Sequence, residues 1–527
     1  MSSKFEVLLQ ISVVLVAVAS GTTIDGAAVQ QALDAAISSG AASYTLPVGN
    51  VVFTSIDFTV ASVTRPFTVT SGPSTSLWFD VPHGVVVRDC AGIEVRGLTI
   101  DYTVKPYVQA SIVSVAPGNA YVFELMNASS TFAVILPLQN IANGGQVWHK
   151  NGSLAASAGV PVPTNIKSLG NRRYSATTAT PLPGAARVGS IVTYKASQGH
   201  TYVVANSSRV ISSGITIHAA SWMAVMELDG ECGHTFSDIT IGRRYNADGT
   251  HADGYLVASN ADAFHSADCA KGSTLTDSHF SYVLNDMMNV HSTVHVLYGD
   301  VATSSWYLID PRVYAFGTPN PGATDDVWYG STSPMSNTIA GRDTVTCFDF
   351  NRSSSKAVGW AKSASYVVAS KEEVRDAAAI AKAKGVFTAL NAGDLTPSLQ
   401  TWDAFKVWKV ALTEAPPAAE GAYSLCTLDR FGNAGFTARR NHFSHGTALL
   451  GRVKSSGSKL TQNVWTSIGA HVLEVSPLQN FLEGPLIIDG VTIEGNALYG
   501  CGSASPVAPG PSQNVKNILW RNNTIHP

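Results

Sequence analysis

The chain has 527 residues, of which 13% are charged, and a formal net charge of −3. So little charge, with no basic stripe, excludes a nucleic-acid binder, and the many Gly, Ser, Thr, Val and Asn residues point to β-structure rich in turns. The length accommodates one long solenoid with insertions as well as three globular domains.

At the N-terminus, Lys4 precedes a mostly apolar run from Val7 to Ala17, and Ala17-Val18-Ala19-Ser20 offers small residues for cleavage. This is the pattern of a secretory signal peptide over residues 1–20, so a secreted, extracellular protein is expected. Gln10 interrupts the run, which is short for a transmembrane helix, and no later segment has the length to span a bilayer. No membrane attachment is expected after cleavage. Cys90, Cys232, Cys269, Cys347, Cys426 and Cys501 permit three disulfides without specifying them. They form no C-x-x-C pattern, which argues against zinc, and no metal or cofactor is expected. Asn127, Asn151, Asn206, Asn351 and Asn522 each open a glycosylation sequon, usable in a eukaryotic-type lumen.

Val29, Ala32, Leu33, Ala36 and Ile37 have helical spacing, so Thr23 to Ser38 should be an amphipathic helix started by Thr or Asp and ended by Gly40. One helix before many strands suits a cap over the open end of a solenoid. Short strands should follow at Tyr44–Leu46 and Val51–Phe53. A unit then recurs, a polar turn followed by an alternating strand rich in Thr and Ile: 91–100, 212–217, 235–241, 271–280, 435–443, 458–464, 485–493 and 515–520. Successive copies outside the breaks are separated by roughly 22 to 38 residues, the length of one solenoid turn plus a loop. The fold expected is all-β, a right-handed parallel β-helix. Cys90, Cys232 and Cys269 each precede the strand of their unit, where stacking or pairing and a buried ladder of free thiols are equally open.

Two stretches break the repeat. Residues 112–203 read as hairpins, with strands at Tyr121–Leu125, Thr131–Leu136 and Ile191–Tyr194. Residues 294–417 mix strands with a helix near Lys371 to Lys384, where Ser370 and Glu373 have capping-box spacing. Both are expected to be inserted β-rich subdomains that wall a cleft. The β-helix would then occupy 21–111, 204–293 and 418–527.

The chemistry is concentrated between Asn260 and His291. Asp262 and Asp286 are 24 residues apart, about one turn of a parallel solenoid whose layers stack ~4.8 Å apart. At equivalent points of consecutive layers their carboxylates would share one patch, as the acid and base of glycoside hydrolysis require; two polar corner residues are the bland alternative. Strict alternation would aim Asp286 at the apolar interior with Met288 and Val290. A bend after Asp286 is therefore expected, turning it outward beside Asn289 and His291. In Ala261-Asp-Ala-Phe-His265, Phe264 should enter the core and His265 should face solvent.

The pairing of this D-A-x-H strand with the D-x-x-N-V-H strand of 286–291 resembles the β-helical α-1,3-galactosidases of glycoside hydrolase family 110. Gly97-Leu-Thr-Ile-Asp-Tyr102, Arg342-Asp-Thr-Val-Thr-Cys-Phe-Asp349 and Leu482-Glu-Gly-Pro485 resemble family segments in the same order, so the likeness covers most of the mature chain. It implies a β-helix with two small inserted barrels and an inverting hydrolase that removes terminal α-linked galactose from glycans. Asp262 matches one family acid, and Asp286 the second of two consecutive acids, of which the first is Asn285 here. Asp262 and Asp286 are therefore the expected catalytic pair. His265, Asn285, Asn289, His291 and Glu483 are the expected substrate-binding residues, with Trp222 or the Trp402/Trp408 pair as an aromatic platform. An amide can neither donate nor take the catalytic proton, so Asn285 leaves open a catalytically silent carbohydrate-binding or surface protein. A polysaccharide lyase on the same fold would want basic residues at the site, and 260–291 contains only Lys271.

Overall fold

The computed structural model of the chain describes residues 23–80, 83–126, 145–149, 152–195, 199–250, 252, 255–300, 302, 305–311, 338–349, 362–391, 405–413, 423–446, 451–466, 473–475, 483–501, 508–509 and 515–526. Residues 1–20, the strand expected at 131–136, Trp402 and the sequons at Asn127, Asn151 and Asn351 lie outside them. The protein is mostly β, built around large parallel ladders. No helix among the described residues is long and apolar enough to cross a membrane.

At the start, Thr23–Asp25 is a strand, not helix; it pairs in parallel with Asn50, Val51 and Val52. The helix α1, Gly26–Ser38, begins only after Asp25, whose side chain accepts from the Ala27 amide at 3.0 Å and caps it. Val29 and Leu33 of α1 are buried against the first strands.

The recurring Thr/Ile unit builds a sheet of 19 described strands. Its copies lie in register: Thr235 opposite Thr274 and Thr274 opposite Thr437, Phe280 opposite Phe443 and Phe443 opposite Trp465. The regular alternation sends Ile, Leu and Phe inward and Thr, Lys and Arg outward. Inside, Asn441, Asn463, Asn496 and Asn523 form a ladder in which each Nδ2 donates to the next Oδ1 at 2.9–3.0 Å. Buried amides are tolerated there because each finds its partner in the adjacent row.

A second parallel column carries the region of interest. Its members include, in chain order, β1 Phe58–Ala61, β2 Val85–Arg88, β3 Tyr202–Ala205, β4 Val225–Leu228, β5 Phe264–Ala267, β6 Met288–Asp300, β7 Gly451–Val453 and β8 Leu473–Val475. Each pairs in parallel with the next. The residues that follow β2 to β5, Asp89, Asn206, Asp229 and Asp268, all have φ between 44° and 59°. Short polar side chains are the non-glycine residues that most readily adopt this left-handed turn, which explains why each strand ends in Asp or Asn.

Residues expected as a first insertion form a separate antiparallel sheet of seven described strands running from Tyr107 to Lys195. The second expected insertion is not detached at 294. β6 continues from the parallel column straight into antiparallel pairing, with Val294 opposite Thr427 and Val296 opposite Ile309. The helix there is α2, Ala377–Asn391. Ser370 and Glu373 do not cap it, because Lys362–Glu373 is a strand paired with Phe405–Leu412. Asp376 accepts from the Ala379 amide at 2.8 Å instead. Trp408 is buried among Leu308, Val345 and Val368 and offers no platform. Disulfides join Cys232 to Cys269 and Cys347 to Cys426, while Cys90 and Cys501 are outside any disulfide.

Candidate active site

Parallel pairing fixes which side chains meet. Phe264 lies opposite Met288, His265 opposite Asn289 and Ala267 opposite His291. Phe264, Met288 and Val290 point into the core, where the Phe264 ring meets Phe236 and Phe436 with centroids 5.1 and 5.9 Å away. Burying a phenylalanine in this way contributes roughly 2–3 kcal/mol, enough to lock the register of β5 and β6. His265, Asn289 and His291 consequently share the opposite face. That face is covered. His265 is 1% exposed, so the expectation that it meets solvent is wrong: alternation takes it away from Phe264, but other parts of the chain close over it.

Asp262 and Asp286 each stand two residues before the paired Phe264 and Met288, at equivalent positions on neighbouring strands. The Ala263 amide donates to the Asp286 carbonyl at 3.0 Å, which carries the parallel pairing back to them. The chain bends between Leu284 and Met287 and resumes as strand at Met288. That bend removes Asp286 from the alternation of β6, while Met287 joins the core.

The two carboxyl groups have different surroundings. Asp262 Oδ2 meets His265 Nδ1 at 2.6 Å, and its Oδ1 accepts from Asn285 Nδ2 at 2.6 Å and from the Asp286 amide at 3.2 Å. Burial alone would raise its pKa; the His265 and Asn285 contacts outweigh that and hold it below the ordinary carboxylate value. Asp286 instead faces Arg452 Nε, 3.3 Å from Oδ2, and Arg452 is shared with Glu474 at 3.3 Å. Burial, then repulsion from Asp262, pushes Asp286 up to about 8 against the pull of Arg452 and Lys454. The surroundings thus favour the charged form of Asp262 and the neutral form of Asp286.

A second cluster adjoins the first. Glu483 belongs to β9, Glu483–Gly484, which pairs antiparallel with β6 at Ser292 and Thr293. Its Oε1 accepts from Asn289 Nδ2 at 3.2 Å and lies 3.9 Å from His291 Nε2, while Lys454 Nζ donates to Oε2. Burial opposes ionisation of Glu483, yet Lys454, His291 and Arg452 together drive its pKa well below the ordinary range. His291 is pushed down to about 3, chiefly by burial.

No family model and no curated protein matched this chain in either search.

All seven residues singled out in the sequence thus meet in one place, with Asn285 partly exposed and the other six buried. Arg452 and Lys454 were missed. Their register signal, a charged-apolar-charged Arg-Val-Lys on a strand, is visible only once β7 is known to lie beside β6. Lys271 is exposed and takes no part. Trp222 is half-buried and stacks on His200, ring centroids 5.0 Å apart, beside Met223 and Met226.

Among the described residues, Glu227, Cys232 and His234 also bring possible metal-ligating atoms together. Their chemistry does not suit a metal. The Cys232 sulfur is bonded to Cys269, and His234 Nδ1 accepts from the Val210 amide at 2.9 Å, which leaves the ring proton on Nε2.

Proposed function

We propose that the protein is a secreted inverting glycoside hydrolase acting on terminal α-linked galactose or a related neutral sugar, built on a right-handed parallel β-helix with two inserted β-rich subdomains. One observation carries the reading: two carboxyl groups at equivalent positions of adjacent strands have opposed surroundings, with His265, Asn285 and the Asp286 amide gathered on Asp262, while Asp286 is buried beside Asp262 and faces an arginine already shared with Glu474. Environments that push paired acids apart in this way mark general acid and general base. Asp286 gives its proton to the glycosidic oxygen as that bond to the anomeric carbon breaks. Water attacks the anomeric carbon from the other face and passes its proton to Asp262. The products are the free sugar with inverted configuration and the alcohol, and the cycle closes when the proton on Asp262 is exchanged for one on Asp286. Three hydrogen bonds to Asp262 leave one of the four lone-pair positions of a carboxylate for that water. His265, Asn289, His291 and Glu483 would then orient sugar hydroxyls. The resemblance to family 110, the signal-like N-terminus and the two disulfides agree with this reading.

The test is a screen of purified protein against α- and β-linked terminal galactosides, with proton NMR following the first anomer released. Inverted galactose supports the proposal; retention of configuration, or no release from a folded protein, sinks it. One observation favours a second reading, a silent carbohydrate-binding protein: Asn285 places an amide on Asp262 where the family places an acid. Sugar binding without turnover, unrestored by Asn285→Asp, would establish that alternative.

A further inference from the structure

Arg452 stands between two carboxyl groups. On β7 it lies opposite Asn289 of β6 on one side and opposite Glu474 of β8 on the other. Its Nε is 3.3 Å from Asp286 Oδ2 and 3.3 Å from Glu474 Oε2, and its N–H makes a well-formed hydrogen bond to neither. Burial opposes the charge on this guanidinium, and Asp286, Glu483, Glu474 and Asp262 more than offset that opposition. The other cation of the cluster is engaged elsewhere, since Lys454 Nζ is paired directly with Glu483. An aspartate with an arginine to itself titrates about 1–3 pH units lower than one without. Such a group is a carboxylate at neutral pH and has no proton to give a leaving oxygen. Glu474 draws on the same Nε and so weakens that pairing. β7 separates β8 from β6, and backbones two rows apart are about 10 Å from each other, so the effect of Glu474 passes through the guanidinium.

We infer that Glu474 is a positioning residue that keeps Arg452 from pairing fully with Asp286, and so leaves Asp286 the proton that a general acid requires. The charged groups that face Asp286 are Asp262 before β5, Arg452 on β7, Lys454 after β7 and Glu483 of β9. Burial favours the neutral form of Asp286, as do Asp262 and Glu483; Arg452 and then Lys454 favour the charged form. Glu474 thus acts on the larger of the two opposing pulls without touching the acid itself. The kinetic consequence rests on the hydrolase reading; the titration of Asp286 does not.

The experiment takes infrared difference spectra of the full chain across a pH titration, because a protonated carboxyl and a carboxylate absorb at different frequencies. The titrating band lost in Asp286→Asn reports Asp286. Glu474→Gln, which keeps the size of the side chain but removes its charge, should lower the Asp286 midpoint by about one pH unit or more. Arg452→Gln should raise the midpoint, and adding Glu474→Gln to it should then change little, whereas direct repulsion from Glu474 would persist in that background. An unmoved midpoint in Glu474→Gln overturns the inference, and so does an equal fall with and without Arg452. Should Glu474→Gln fail to fold, Glu474→Asp, which withdraws the carboxylate by one methylene, must still lower the midpoint. In an active enzyme, Glu474→Gln should move the basic limb of the pH–rate profile to lower pH by the same amount and leave the acidic limb in place. An unmoved basic limb refutes the positioning role while leaving the hydrolase reading intact; a parent without turnover refutes that reading and leaves the titration to judge Glu474.

Discussion

Glu227 is wholly buried on the inner side of β4, beside Ser266 and opposite the face that carries His265. Its Oε2 is 2.5 Å from Ser266 Oγ, which is itself 3.0 Å from Asn433 Oδ1, and Ser273 Oγ meets Oε1. One hydroxyl hydrogen cannot satisfy two acceptors. A proton on Glu227 resolves the conflict by donating to Ser266, which then donates to Asn433. Burial is the main cause that lifts this carboxyl from 4.5 to about 7, against the serine hydrogen bonds that lower it. The folded state therefore binds the proton more tightly than the unfolded chain. The stability this confers is fully present below about pH 4.5 and is lost as pH rises through about 7. That tighter proton binding is worth about 3 kcal/mol of stability. Glu227→Gln keeps an amide donor and acceptor but removes the titration. Urea unfolding of both proteins at pH 4.5 and pH 8.5 should show the parent losing about 3 kcal/mol more than the variant between the two. Parallel pH dependences would refute the proton count.

Asp286→Asn should reduce turnover by ~10²–10⁴-fold, and parent activity should decline as pH rises through about 8, where Asp286 ionises; a flat profile to pH 10 would remove Asp286 as the acid. Lys454→Met removes the cation paired directly with Glu483 and should cost about 3–5 kcal/mol in urea unfolding, partly restored by adding Glu483→Gln. Asn463→Ala interrupts the ladder that joins Asn441 to Asn496 and strands buried donors and acceptors, so a loss of about 2–4 kcal/mol is expected by the same assay.

Much of this arrangement was legible from residues. The Thr/Ile unit revealed the strands of the large parallel sheet because its alternation is regular and its inner positions are uniformly apolar. The equivalence of Asp262 and Asp286 followed from their separation, since β5 and β6 pair without an insertion between them. What failed has physical causes. His265 was expected in solvent because alternation distinguishes only two faces of a strand and says nothing of what packs on either. The start of α2 was misplaced because Ser370 and Glu373 match a capping box by spacing, while the pairing of Lys362–Glu373 with Phe405–Leu412 overrides it. Arg452 and Lys454 were hidden by distance along the chain. The long segment between β6 and β7 contributes its own strands to the same sheet, and nothing local in Gly451-Arg-Val-Lys454 announces the strand it will join.

That distance also accounts for the asymmetry of the two acids. Adjacent parallel strands lie about 4.8 Å apart, so like residues at like positions repel, and one carboxyl retains its proton unless both are supplied with donors. Asp262 draws its donors from nearby chain: His265 on its own strand, then Asn285 and the Asp286 amide from the next row. Asp286 must draw on β7, where it meets Arg452, already shared with Glu474. An aspartate at 285 would have placed a third carboxyl against Asp262 and removed the amide donor it uses. Asn285 instead supplies a hydrogen bond that, with His265, favours the charged form of Asp262. Under the proposed hydrolase reading the division of labour falls to Asp262 and Asp286, and the neutral form favoured at Asp286 is the counterpart of the donors gathered around Asp262.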